Sequence, residues 1–247
     1  MARVRKTRRR RRGNRRPWRS RLLRWSLGAV LAVCAASVLL VLPWRWLDPP
    51  TSSFMLQYRH AAWRAGYDEA PIRHRWRDWA AFSPALPLAV IAAEDQRFAE
   101  HHGIDIRAIH AAWRSNRRGG TVRGGSTITQ QTVKNLFLWR NKTYLRKGIE
   151  AWLTLWAEAL WPKRRILEIY LNTAQFGPNV FGAESAARHY HGKAARDLSL
   201  HEAALLAAVL PAPSVNDAGA PSPALRERQA WVERQARQLG LDYLDRL

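Results

Sequence analysis

The chain has 247 residues, 47% of them apolar, which excludes a wholly disordered polymer and leaves room for one sizeable domain with appendages. A formal charge of +22 would point to nucleic acid if it were evenly spread, but thirteen Lys and Arg residues fall within residues 1–24, which hold no acid. The single cysteine, Cys34, excludes a disulfide framework.

Residues 1–24 lack apolar periodicity, which predicts a basic, disordered head. From Trp25 to Trp44 there are twenty residues without a charge. At 1.5 Å per residue such a helix spans about 30 Å, the thickness of a bilayer core. Trp25, Trp44 and Trp46 sit where interfacial aromatics belong. The stretch "VLPWRWLDPP" offers no small-residue cleavage site, so a retained transmembrane helix over 25–46 is expected rather than a cleaved signal peptide. The positive-inside rule puts the basic head in the cytoplasm and the rest outside. Residues 47–74 read as a linker and membrane-proximal segment, rich in Trp, Arg and Ala, and the domain proper is expected over 75–247. From Ser83 onward the apolar spacing is helical, with no sustained alternation and no hairpin signal, so the fold class is mainly α. The C-terminal "LRERQAWVERQARQLGLDYLDRL" reads as an amphipathic helix packed on the surface.

Three segments carry candidate chemistry. Pro84 and Pro87 open a helix on which Val90, Ile91, Glu94 and Phe98 share a face, with Gly103 as its expected end. A carboxyl among such neighbours is hard to ionise, which suits a proton acceptor near neutral pH. The alternative is a structural Glu that pairs with Arg97 or caps a neighbour. The second segment, "RGGSTITQQTVKNLFL", places Thr127 and Gln130 as a capping box after a glycine turn. Free N–H groups at such a terminus favour an anion, and Thr127, Gln130, Gln131 and Lys134 continue donors and a cation along the helix. An ordinary capped amphipathic helix would look similar. The third, residues 142–161, sets Glu150, Thr154 and Glu158 on one face with Arg146 one turn earlier, and Leu153, Trp156 and Leu160 on the apolar face. Pro162 then restarts a helix in which Ile166, Ile169 and Tyr170 face a core.

Four ordered motifs carry a resemblance. They are Glu94-Asp95-x-x-Phe98-x-x-His101-x-Gly103, Gly124-Gly125-Ser126-Thr127-Ile128-Thr129-Gln130-Gln131-x-x-Lys134-Asn135, Arg146-Lys147-x-x-Glu150 and Ile166-Leu167-Glu168-x-Tyr170-Leu171-Asn172. Order and spacing resemble the peptidoglycan glycosyltransferase family over roughly residues 75–240. The absence of a second catalytic domain after the match implies its monofunctional type.

The resemblance implies a lysozyme-like α-helical domain that polymerises lipid II at a bacterial inner membrane, with the catalytic domain in the periplasm. Glu94 matches the family's general base and Glu150 its second essential carboxylate. Asp95, Phe98, His101, Gly125, Ser126, Thr127, Gln130, Gln131, Lys134, Asn135 and Arg146 match substrate-binding positions, with Lys134 the donor-site lysine. Lys142 stands where the family often carries arginine, which puts bidentate pyrophosphate contact in doubt there. Thr154 replaces a small apolar residue common in the family. Implied partners are lipid II, the undecaprenyl-linked nascent glycan, membrane lipid and the cell-division or elongation machinery, with no nucleic acid. No cofactor is implied beyond a divalent cation such as Mg²⁺, held mainly through substrate pyrophosphate. A lytic enzyme on a related fold would need no anion pocket. A scaffold with a basic nucleic-acid arm would leave the ordered polar motifs unexplained.

Overall fold

A computed structural model of the chain describes residues 18–67, 72–117 and 125–247. They are mainly α-helical, and the chain divides into two units, residues 1–40 and Val41–Leu247.

Helix α1 (Trp18–Val41) begins seven residues before Trp25, inside the stretch expected to be disordered. Arg and Leu are strong helix formers, and a helix nucleated by the apolar run extends back through them. The remaining head, residues 1–17, lies outside the described residues. At the other end the expected helix is cut short. A 3-10 turn, Leu42–Arg45, replaces α-helix where Pro43 lacks the N–H needed to continue. The helical stretch Arg21–Arg45 is long and apolar enough to cross a membrane, its most apolar part reaching a mean hydropathy of 2.4. Leu23, Trp25, Leu27, Val30, Leu31 and Leu39 stand exposed along it.

In the second unit, the last residues of the expected membrane helix and the first of the segment after it bond into the fold. Trp161 Nε1 donates to Val41 O at 3.0 Å, and Arg165 donates to the carbonyls of Trp44 and Leu47. Helix α2 (Ser53–Arg64), capped by Ser52, docks beside the end of the later helix Ile128–Phe137. There Gln57 donates to Leu138 O and accepts from Arg140 N–H. Two short strands, β1 (Arg73–His74) and β2 (Val180–Phe181), pair in parallel with Arg73 opposite Val180. Two residues are too few for a period-two pattern, so the sequence carries no trace of them.

The core forms around helices apolar on every side. In α3 (Ala85–Glu94) the seven residues Leu86 to Ala92 are all buried. Each fully buried Leu or Ile stabilises by about 1.5–3 kcal/mol relative to exposure. The helices that follow α3 are α4 (Ile106–Arg117), α5 (Ile128–Phe137), α6 (Tyr144–Leu160), α7 (Lys163–Thr173) and α8 (Ala183–His191). Next come α9 (Leu200–Val209), as apolar as α3, and α10 (Pro223–Leu239). Helices α3, α9 and α10 pack on one another, while α5 packs against α6 and α7. The amphipathic C-terminal helix is therefore no mere cover. Its Leu225, Val232 and Ala236 are buried, and α10 lies against the helix that carries Glu94.

Candidate active site

Helix α3 stops at Glu94, not at Gly103 as its sequence suggested. Asp95 leaves the helical region (φ −162°, ψ 72°), and a tight turn follows in which Phe98 N–H bonds to Asp95 O. Short acidic side chains compete with the backbone for such turns. Phe98 thus reaches the core from a turn and is fully buried. Gly103 closes the turn at φ +84°, and a Cβ there would lie 2.6 Å from Thr154 Cγ2. Only glycine fits both conditions. Thr154 is buried and donates to Glu150 O, so it acts here in packing.

The helix end leaves the Glu94 carboxyl in a cleft of about 210 Å³ lined by Glu94 to Arg97, Asp105, Ala108 and Gly125 to Thr127. Its side chain is 12% exposed. Burial raises its pKa above the ordinary 4.5, only partly opposed by the Gln131 amide and the charges of Arg228 and Lys134. Gln131 Nε2 donates to Glu94 Oε2 at 2.8 Å, and Arg228 Nη2 of α10 lies 3.6 Å from Oε1. Arg97 does not pair with Glu94. It binds Glu100 and Asp105.

The N-terminus of α5 carries the expected capping box between Thr127 and Gln130. Its anion-binding capacity is already engaged by the protein. Asp95 Oδ2 accepts Ile128 N–H at 3.0 Å, and Thr127 Oγ1 accepts Gln130 N–H. The same Asp95 accepts His101 Nε2–H at 2.9 Å, while His101 Nδ1 accepts Gly103 N–H, which fixes the tautomer. Asp95, Phe98, His101 and Gln130 therefore brace the turn and the helix start. Asn135 is buried at the far end of α5.

Farther along α5, Lys134 is half-buried; its ammonium makes no hydrogen bond among the described residues and lies 5.7 Å from the centre of the Phe54 ring. Burial lowers its pKa, opposed by the charges of Glu150 and Glu94. Glu150 is held from two sides, by Arg146 Nη1 at 2.6 Å and Lys147 Nζ at 2.5 Å. Lys147 also donates to Ser126 Oγ at 3.0 Å, tying the segment before α5 to α6. Gly125 needs its small size, since a Cβ would sit 3.3 Å from Ile109 Cα. Lys142 is the outlier, exposed on the loop before α6. Gly124 of the second motif lies outside the described residues.

Three contributors stand outside the expected set: Lys147, Arg228 and Tyr170, whose hydroxyl donates to Gln131 Oε1 at 3.2 Å. Lys147 and Tyr170 each lay in one of the motifs. Arg228 is one of four arginines on α10, and nothing local distinguishes it.

The site thus holds a carboxyl of raised pKa in a cleft, with Arg228 and Lys134 close to it. A sequence model of the family described as Transglycosylase matches residues 64–237. The chain belongs to this transglycosylase family. It is 51% identical over 220 residues to a biosynthetic peptidoglycan transglycosylase of Xanthomonas campestris pv. campestris (strain B100), covering 89% of each chain. To the protein of that name from Pseudomonas aeruginosa it is 50% identical over 214 residues, 86% of this chain and 92% of the other. A third relative, from Stutzerimonas stutzeri (strain A1501), is 49% identical over 229 residues, 92% of this chain and 91% of its own. This transglycosylase is thus an enzyme of peptidoglycan biosynthesis, and its mainly α fold agrees with that membership. Among the described residues of the transglycosylase, no group of three or more His, Cys, Asp or Glu could hold a metal ion.

Proposed function

We propose that the enzyme polymerises lipid II into glycan strands. The lipid-linked glycan is the donor, and C1 of its terminal MurNAc is attacked by the GlcNAc 4-OH of an acceptor lipid II. As the C1–O4 bond forms, the C1–O bond to pyrophosphate breaks and its electron pair leaves with undecaprenyl pyrophosphate. The anomeric centre inverts, and the hydroxyl proton passes to Glu94. The observation that carries this reading is the desolvated Glu94 in its cleft, with its pKa raised by burial.

Lys134 takes the donor pyrophosphate in this reading. Among the described residues its half-buried ammonium has no hydrogen-bond partner and lies over the Phe54 ring, so a ligand anion gains a cation that no protein acceptor holds, in a poorly solvated setting. Arg146 and Lys147 hold Glu150, which orients the cationic row. With the α5 terminus occupied by Asp95, side-chain cations rather than backbone N–H groups bear the pyrophosphate charge. A divalent cation would be held through the pyrophosphate oxygens. The catalytic unit lies on the periplasmic face of the inner membrane behind α1, beside the cell-division or elongation machinery.

The direct test is to incubate detergent-solubilised enzyme with lipid II and resolve the products by gel. Glycan strands are expected, and Glu94→Gln should not produce them. Release of short saccharides from preformed glycan, with no strands made from lipid II, would refute the reading.

A further inference from the structure

We infer that Tyr170 is a positioning residue for proton transfer: it fixes the amide of Gln131 so that the amide donates to the ionised Glu94. This rests on the reading of Glu94 as the base. An ionised carboxylate only accepts, so Gln131 must turn its NH₂ toward Glu94, as the 2.8 Å contact from Nε2 records. The amide oxygen then points away and requires a donor. Tyr170, buried to 1% on α7, supplies one at 3.2 Å. Burial holds its phenol well above 10, so the donor proton stays in place. An amide without such a lock could turn its oxygen toward Glu94, an arrangement that satisfies only the protonated acid.

Three further charged groups face Glu94. They are Arg228 on α10, Lys134 on α5 and Asp95 at the end of α3. None of them hydrogen-bonds to the Tyr170 hydroxyl among the described residues; its bond goes to Gln131. Removing that hydroxyl therefore changes the preference of one amide and no formal charge.

The experiment is the pH dependence of kcat/KM for lipid II polymerisation by the full-length enzyme, for the parent, Tyr170→Phe and Gln131→Met. Tyr170→Phe keeps the ring, so its melting temperature should stay close to the parent's. Its acid limb should move up by about one pH unit, which is about tenfold at low pH, and the deficit should vanish on the alkaline plateau. Gln131→Met should move the limb the same way, and it tests the lock even if Tyr170→Phe fails to fold. A uniform loss at all pH values in Tyr170→Phe, or an unmoved limb in Gln131→Met, would overturn the inference. If Glu94→Gln itself polymerises at near parental rate, the base assignment falls instead.

Discussion

Glu94 is placed so that folding favours its neutral form, and this has two measurable consequences. Glu94→Gln removes the base and should lower the initial polymerisation rate by on the order of 10²–10⁴-fold. The variant should also melt higher at neutral pH. Because the folded pKa lies above 4.5, the parent's penalty appears as pH rises past that value and is complete above the folded pKa. The stabilisation of the variant should therefore disappear as the pH is lowered toward 4.5 and below. A variant that keeps more than about a tenth of the parental rate would contradict the assignment. Lys134 makes a second case at this scale. Lys134→Ala should lose polymerisation with the fold intact, and Lys134→Arg should retain more, because charge survives while geometry changes. Near-parental polymerisation by the alanine variant would remove the pyrophosphate assignment. Lys142→Arg should be tolerated, since position 142 is exposed on a loop.

Between elements, the approach of α6 to the turn after α3 depends on Gly103. A Cβ there meets Thr154 Cγ2 at 2.6 Å and Glu158 Cγ at 2.8 Å, in a left-handed backbone conformation. Gly103→Ala should cost about 1–3 kcal/mol in denaturant unfolding, from strain and overlap together. Adding Thr154→Ala should recover part of the loss, because it removes one overlap and leaves the φ of +84° unchanged. A cost below about 0.5 kcal/mol for the single variant would show that the turn is not a tight joint. The same turn carries Asp95, so its position is also the position of the α5 terminus.

Across the whole molecule, an uncharged run over residues 25–44 behind a basic head sets the topology to be tested. An alkaline phosphatase fused after Leu247 should be active, since that enzyme needs export. A reporter that works only in the cytoplasm should be silent there. The reverse pattern would overturn the orientation. Segment 41–48, anchored through Trp161 and Arg165, makes the start of the second unit part of its fold rather than a free tether.

The sequence alone determined the apolar span, the Thr127 capping box, the helices after Pro84 and Pro162, and the poor solvation of Glu94. Each of these is written within a few helical turns, where side-chain spacing and local hydrogen bonds decide the outcome. Only the tertiary structure decided that α3 ends at Glu94, that Asp95 occupies the α5 terminus, and that Gln131 and Arg228 meet the Glu94 carboxyl with Tyr170 behind Gln131. These partners lie 33 or more residues apart in the chain, as with Ile128 and Asp95. Which donor meets which acceptor over that separation is set by how α3, α5, α7 and α10 pack, and no periodicity records it.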